Sequence, residues 1–284
     1  MDSLQIHQTI ASSYDGLAEK YERAVVPVYR PLAKRLLQYI DLRPGWSVLD
    51  AGTGTGLVAL LGAVRVGKGG QMIGVDASKQ MLMLARKKAA QFGFSQCEFR
   101  VGDLHALDFA DASFNAVLSE FALHYTDIER TLRELHRVLQ PNGALVLQLW
   151  AAESSPPHKA MWEALARYRV NEPDAALAAL RAQADRSHAF RKRFGTVSTV
   201  MGAVEDAGFA SVEAHEESHP TKIANVDAFF EIASASPALN AEIGAVPAPA
   251  REDFIRDAHA ELQKFVTGNG FEWAFKTIAI VARK

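Results

Sequence analysis

One cysteine, Cys97, is all that 284 residues carry. That leaves no internal disulfide and no cysteine metal cluster, and it makes Cys97 a small strand residue rather than a redox centre. Charge of one sign is missing too: 31 Lys and Arg stand against 33 Asp and Glu, a formal net of -2. No broad basic field exists for nucleic acid or an anionic membrane surface. No apolar run has the roughly 20 residues of a membrane span. The longest uncharged one near the glycine-rich segment, Ala51 to Val64, falls short. Met1 to Ser13 is polar, without the apolar core of a secretory signal, so a cytoplasmic setting is expected. The nine histidines show no H-E-x-x-H spacing. His215 and His219 are four apart, but they fall in or just after a stretch of strand-like alternation, so no metal site is expected. What remains is 49% hydrophobic and 23% charged, the composition of a globular chain with one sizeable core and an accessory region.

The most informative segment is Val48-Leu49-Asp50-Ala51-Gly52-Thr53-Gly54-Thr55-Gly56. A short apolar strand ends on an acid, a three-glycine turn follows, and a helix-forming stretch opens at Leu57. Glycines at such a turn let main chain approach a ligand, and the helix start behind it offers free N–H groups. In a dinucleotide fingerprint, G-x-G-x-x-G, the third glycine would stand where this chain has Leu57. A second apolar strand, Gln71 to Asp76, ends in an acid about 20 residues past the loop, the separation that places a carboxylate on ribose hydroxyls. Further strands follow at Cys97–Leu104, Phe114–Ser119 and Ala144–Trp150, with an amphipathic helix over Ile128–Leu139. Five strand–helix alternations of this kind predict an α/β fold with a parallel, doubly wound sheet.

The D-x-G-x-G-x-G loop, the acid at Asp76, the acid at Asp103 and the segment Ser119-Glu120-Phe121-Ala122-Leu123-His124-Tyr125 together resemble class I S-adenosylmethionine-dependent methyltransferases, over residues 45 to 150. The resemblance implies a Rossmann-like sheet of seven strands with an antiparallel last strand. It also implies S-adenosyl-L-methionine as cofactor and S-adenosyl-L-homocysteine as product. Carried over residue by residue, Asp50, Ala51, Gly52, Thr53, Gly54 and Gly56 hold the amino-acid end and the sulfonium side. Asp76, with Ala77 and Met81 beside it, holds the ribose. Gly102, Asp103 and Leu104 frame the adenine, and Ser119 and Phe121 close the cleft. In related small-molecule enzymes an amino-terminal helix with aromatics closes over the cofactor. Here Tyr14 and Tyr21, seven residues apart, share a helix face and are the candidates.

The remaining chain must set the acceptor. Residues 1–40 are expected to form a helical lid and 41–150 the cofactor-binding core. Residues 151–195 and 219–270 are expected to be helical cap insertions, with 196–218 and 271–284 completing the sheet. The segment Ser236–Ala250, with three prolines, is expected to be a loop. The run Arg191-Lys192-Arg193 is expected to be a solvated surface.

Methyl transfer from a sulfonium is an in-line displacement that depends mainly on alignment, and the departing thioether needs no proton. A base is needed only for an acidic acceptor. His124 is the candidate, because it follows the fourth strand at the cleft edge and its ordinary pKa is near neutral. Glu120 is a weaker one. The place where base- and glutamine-methylating enzymes carry an N/D-P-P-aromatic tetrad reads Ser119-Glu120-Phe121-Ala122, which argues against nucleic acid as partner. One cysteine argues against arsenite. A small organic acceptor remains, methylated at oxygen, carbon or nitrogen, and local wording such as Leu-Gln-Pro-Asn-Gly-Ala-Leu is similar to the quinone and menaquinone branch. A homodimer is compatible with this reading. The other readings are a binding protein for the same cofactor without methyl transfer, and a nicotinamide oxidoreductase, which Leu57 disfavours.

Overall fold

Two helices, α1 (Ser3–Ala24) and α2 (Val26–Leu36), stand where the lid is expected, joined at Val25 with a proline in the first turn of α2. The computed structural model describes residues 3–152, 155–268 and 270–284, with side chains from Thr9 onward. The expected lid residues Met1 and Asp2, the Glu153-Ser154 break and the His7 side chain lie outside what is described.

Beyond the lid, β1 (Ser47–Ala51), α3 (Leu57–Val66), β2 (Gln71–Asp76), α4 (Lys79–Phe92), β3 (Cys97–Val101), β4 (Phe114–Glu120), α5 (Ile128–Val138) and β5 (Leu139–Trp150) alternate as expected. Their near-continuous apolar runs suit strands covered on both faces. β1 pairs in parallel with β2 and β4, β2 with β3, and β4 with β5. Because Asp50 lies opposite Gly74 and Asp76 opposite Val101, the carboxyl ends of β1 to β4 finish on one rim. That is the edge at which open α/β sheets bind ligands.

The cap helices are α6 (Pro156–Ala166) and α7 (Ala175–Phe194), followed by α8 (Val197–Asp206) against the sheet. Next come β6 (Ala210–Ile223), α9 (Val226–Ala233), α10 (Pro237–Ala245), α11 (Ala248–Leu262), the two-residue β7 (Val266–Thr267) and β8 (Gly270–Arg283). The sheet order is β3-β2-β1-β4-β5-β8-β6, with β8 antiparallel to both neighbours and β7 added to its end. Seven strands on the main path and the antiparallel β8 match the expectation.

Two expectations need correction. The β6–β8 ladder runs on to Ile223 opposite Phe271, so the second insertion begins later than residue 219. Its outer strand tolerates Pro220 because an edge strand can leave one N–H side unpaired. The segment Ser236–Ala250 is no loop. Pro237 sits in the first turn of α10 and α11 also begins with a proline in its first turn, where the missing N–H costs nothing.

One apolar layer of α5 and α8 covers one sheet face, and a second of α2, α3 and α4 covers the other. A third cluster lies under the cap, where Phe229, Phe254 and Phe271 are fully buried. Each such ring contributes about 1.5–3 kcal/mol by leaving water.

Candidate active site

The turn after β1 is built around Asp50. Its Oδ2 accepts hydrogen bonds from the Thr53 hydroxyl (2.6 Å) and from the Ala59 N–H (3.0 Å). Gly56 precedes α3 in the left-handed region and offers no side chain, so Asp50 caps the first turn of that helix from the strand. Gly52 (φ +77) lies against Ala122 and Leu104, and its amide donates to the Val75 carbonyl. Gly54 (φ +53) differs, since a Cβ placed there would meet nothing within 4 Å. The loop thus has a packed side at Gly52 and an open side at Gly54.

Asp76 faces that open side. One oxygen accepts from the Gly54 N–H at 2.8 Å and the other from the Ser78 N–H at 2.9 Å. Burial raises its pKa, while the bonds from Ser78, Gly54 and Ala77 oppose the rise. A carboxylate has about four lone-pair sites, so both oxygens can still accept further bonds. Met81 is buried in the first turn of α4, where its N–H donates to the capping Ser78 hydroxyl.

Asp103 follows β3 and Gly102, half exposed at the rim. His105 holds it: the His105 N–H and the ring Nδ1 both bond Asp103 Oδ1, at 2.9 and 2.7 Å. The other ring nitrogen, Nε2, accepts from the Asp127 N–H at 2.8 Å, which fixes Nδ1 as the protonated one. His105 is a positioning residue that sequence reasoning left among the scattered histidines. Its signal was local, two residues past an acid at a strand end.

A narrow cleft of about 30 Å³, room for only a water or two, lies beside the glycine loop. Asp50, Gly52, Thr53, Gly54, Thr55, Tyr21 and Glu120 line it. Two of its groups lack partners: Glu120 Oε1 and Thr55 Oγ1 are buried with no hydrogen bond among the described residues. Burial, and then the neighbouring Asp50, push the Glu120 carboxyl well above the ordinary range. Burial likewise pushes Asp50 up to about 7. Two crowded carboxyls fit a ligand that brings an ammonium group, and the bare amide turn beside them fits an adjoining carboxylate.

Ser119 and Phe121 do other work than lining this cleft. The Ser119 hydroxyl donates to the Ala51 carbonyl at 2.7 Å and ties β4 to β1. Phe121 sits in the left-handed region (φ +53) and stacks on Trp150 with ring centres 3.9 Å apart. A bulky residue in that region is strained, a feature found at functional sites. From there an aromatic wall runs in both directions. Tyr29 is 5.3 Å from Phe121, and Tyr21 is 6.4 Å from Tyr29. On the other side Phe275 is 5.4 Å from Trp150, and Trp273 is 4.8 Å from Phe275. Tyr29 and Trp150 were missed as parts of a wall because only the fold brings the helix and strand ends that carry them together.

The lid is fastened to both sides of the rim. Asp15 accepts from the Ser78 hydroxyl at 2.6 Å and from the Gln80 N–H at 2.9 Å, and Lys20 donates to Ser234 on the cap at 2.7 Å. Tyr14 and Tyr21 share a face, 6.1 Å apart, but Tyr21 lines the cleft while the Tyr14 hydroxyl meets that of Tyr125 at 2.8 Å. His124 is half-buried, and burial followed by the charge of Arg191 lowers its pKa to about 3. A base that weak is neutral at pH 7 and abstracts protons poorly. Cys97 is partly buried with its thiol pushed up to about 11 by burial and by Asp50, so no thiolate forms near neutral pH. Among the described residues no cluster of possible metal ligands occurs and no helix is long and apolar enough to cross a membrane.

Comparison with known proteins agrees with this geometry. A family profile described as a methyltransferase domain matches residues 42–199. Nocamycin O-methyltransferase from Saccharothrix syringae is 34% identical over 72% of this chain and 74% of that one. A ubiquinone/menaquinone biosynthesis C-methyltransferase from Geotalea uraniireducens is 31% identical over 57% of this chain and 66% of its own length. The crystal structure of the YcgJ protein from Bacillus subtilis shares the fold with a TM-score of 0.58 and 22% identity, over 89% of this chain and 97% of that one. With the profile spanning more than half of the chain, the protein belongs to the S-adenosylmethionine-dependent methyltransferases.

Proposed function

We propose that this enzyme methylates a small, planar, largely apolar organic acceptor held between the aromatic wall and the helical cap. The observation that carries this is the Phe121–Trp150 stack, which continues from the cofactor-cleft rim into the cap. By their names, the two relatives described above are an O-methyltransferase of nocamycin and a C-methyltransferase of ubiquinone/menaquinone biosynthesis, and the planar rings of quinones suit a wall of aromatic side chains. The balanced charge, -2, supports a reading in which nucleic acid is not the substrate. In this reading residues 1–40 are the lid and α6, α7 and α9 to α11 the cap, and the setting is the cytoplasm.

Bound S-adenosylmethionine supplies an activated methyl group on a sulfonium. The chain's own residues bind, orient and exclude water. Asp76 takes the ribose hydroxyls, Asp103 the adenine edge, and Asp50 with Glu120 the ammonium of the amino-acid end. Tyr21 and Tyr29 close the cleft from the lid side. His124, held neutral, shapes the rim and abstracts no proton. Alignment is the chain's main contribution to the transfer, worth up to about 7–11 kcal/mol at the ideal limit.

The test is incubation with methyl-labelled S-adenosylmethionine and a panel of phenols, enols and hydroquinones, read by mass spectrometry for a gain of one methyl group. Trp150→Ala should raise the acceptor KM about tenfold or more and leave S-adenosylhomocysteine affinity unchanged, as expected for losing one buried aromatic contact. Equal losses in both would remove the wall from the acceptor site.

A further inference from the structure

The three cationic residues at the end of α7 do not behave alike. Arg193 points outward and pairs with Glu129, and Lys192 is exposed, as a solvated surface predicts. Arg191 corrects that expectation. It is turned inward and half-buried, and it makes no ion pair or hydrogen bond among the described residues.

Its place in the fold is defined from two sides. One turn earlier on the same helix face, the Ser187 hydroxyl bonds the His124 carbonyl at 3.4 Å, which seats α7 on the turn after β4. From there the charge of Arg191 acts on His124 and on His158 of α6. The His158 ring is 5.2 Å from Trp273 and 5.0 Å from Phe229, at the far end of the aromatic wall. Arg191 therefore stands where the two cap helices, the rim turn and that wall converge.

Among the described residues no group answers its charge. The acids on the elements packed against α7 are engaged elsewhere or exposed. Asp15 bonds Ser78 and Glu22 bonds Lys88. Glu242 is held by Arg169 and Arg181, and Glu19 faces solvent. The near neighbours are neutral: the Tyr125 hydroxyl is taken by Tyr14, and burial keeps both His124 and His158 uncharged at neutral pH. A guanidinium cannot shed its proton, so the half-buried and unpaired Arg191 keeps a fixed positive charge that a ligand anion can answer.

We infer that Arg191 is the anion clamp of the acceptor pocket, and that the acceptor carries an acidic oxygen, an enol, phenol or carboxylic acid, bound as its anion. This rests on the acceptor site proposed above and narrows its substrate class. A guanidinium holding the anion fixes the acceptor's orientation and removes the need for a strong base in the protein, in keeping with a neutral His124.

The probes are 4-nitrophenol, whose anion is coloured, and nitrobenzene, its neutral analogue, each titrated into protein saturated with S-adenosylhomocysteine. In the wild type the bound phenol should show the anion's absorbance at a lower pH than free phenol does. Arg191→Met should weaken 4-nitrophenolate binding about tenfold or more and leave nitrobenzene unchanged, with Arg191→Lys in between. Should Arg191→Met fail to fold, the wild-type absorbance titration decides alone. Equal weakening of both probes, no preference for the anion, or no binding of the phenolate overturns the inference. Calorimetry of S-adenosylhomocysteine on the same samples separates the two levels. If the product binds while the anion preference is absent, only the clamp is lost; if the product does not bind, the methyl-donor site itself is wrong.

Discussion

A Cβ placed on Gly52 would lie 2.1 Å from the Ala122 Cβ, whereas one placed on Gly54 would touch nothing. The turn after β1 thus has glycines for two different reasons, one to let the β4 edge close against the loop and one to leave a surface bare.

Two alanine substitutions should separate these reasons. Gly52→Ala combines a left-handed backbone with a collision and should cost roughly 2–5 kcal/mol of stability. Gly54→Ala carries only the backbone strain, about 1–2 kcal/mol, but sets a methyl group in the cofactor cleft. Thermal unfolding should show the first variant much less stable. Calorimetry should show the second folded and weakened tenfold or more for S-adenosylhomocysteine. Comparable stabilities would mean the loop is not packed as described.

Asp76 is bonded to both the Gly54 amide and the Ser78 amide, so it sets the loop as well as offering oxygens to a ribose. Asp76→Ala should weaken S-adenosylhomocysteine binding by roughly 1.5–3 kcal/mol, the usual cost of losing hydrogen bonds to a charged group. Asp76→Asn, which keeps one acceptor oxygen, should lose less. A folded Asp76→Ala protein with wild-type affinity would take Asp76 out of the site.

The glycine turn, Asp76 and the strand order are legible in the chain because each depends on local spacing: a strand end, a turn, and about 20 residues to the next strand end. The continuation of β6 to Ile223 and the helix at Pro237–Ala245 were harder. An edge strand alternates weakly, and prolines that begin helices look like prolines that break them. Arg191 was unreadable for another reason. Its direction depends on how α7 rolls onto the turn at His124, and three adjacent cations carry no mark of which one faces inward. Glu120 could have been ranked higher, since it is the acid that ends the apolar strand β4 and lands beside Asp50.

His124 and His158 are held at about 3 and about 4, below their ordinary 6.5, by burial and then by Arg191. For a lowered histidine the unfolded chain takes up a proton that the folded one refuses, so stability is lost as pH falls below about 6.5. His124→Phe should therefore flatten the loss of stability between pH 7 and 5, by up to about 2 kcal/mol at pH 5. The pH–rate profile should show no limb near 6.5 that disappears in this variant. A limb that does disappear would make His124 the base after all.

The last expectation concerns the carboxyl pair under the glycine loop. Asp50 is raised to about 7 by burial, and Glu120 is pushed well above the ordinary carboxyl range by burial, with Asp50 as the second cause. For Asp50 the sign is the opposite of the histidine case: its protonated form is favoured in the folded protein, so its contribution to stability is lost as pH rises from about 4 to about 7. The ammonium of S-adenosylhomocysteine reverses that preference, since it attracts the ionised form. Binding should therefore release a proton below pH 7, and affinity should climb by at most about tenfold per pH unit before levelling off. Asp50→Asn should abolish the limb near 7, and Glu120→Gln should retain it, because Asp50 does not need Glu120 to be raised. Calorimetry from pH 5.5 to 8.5 in buffers of different ionisation heat reads both the affinity and the proton. A limb near 7 that survives Asp50→Asn would assign the titration to another group and separate Asp50's helix-capping role from any contact with the ligand.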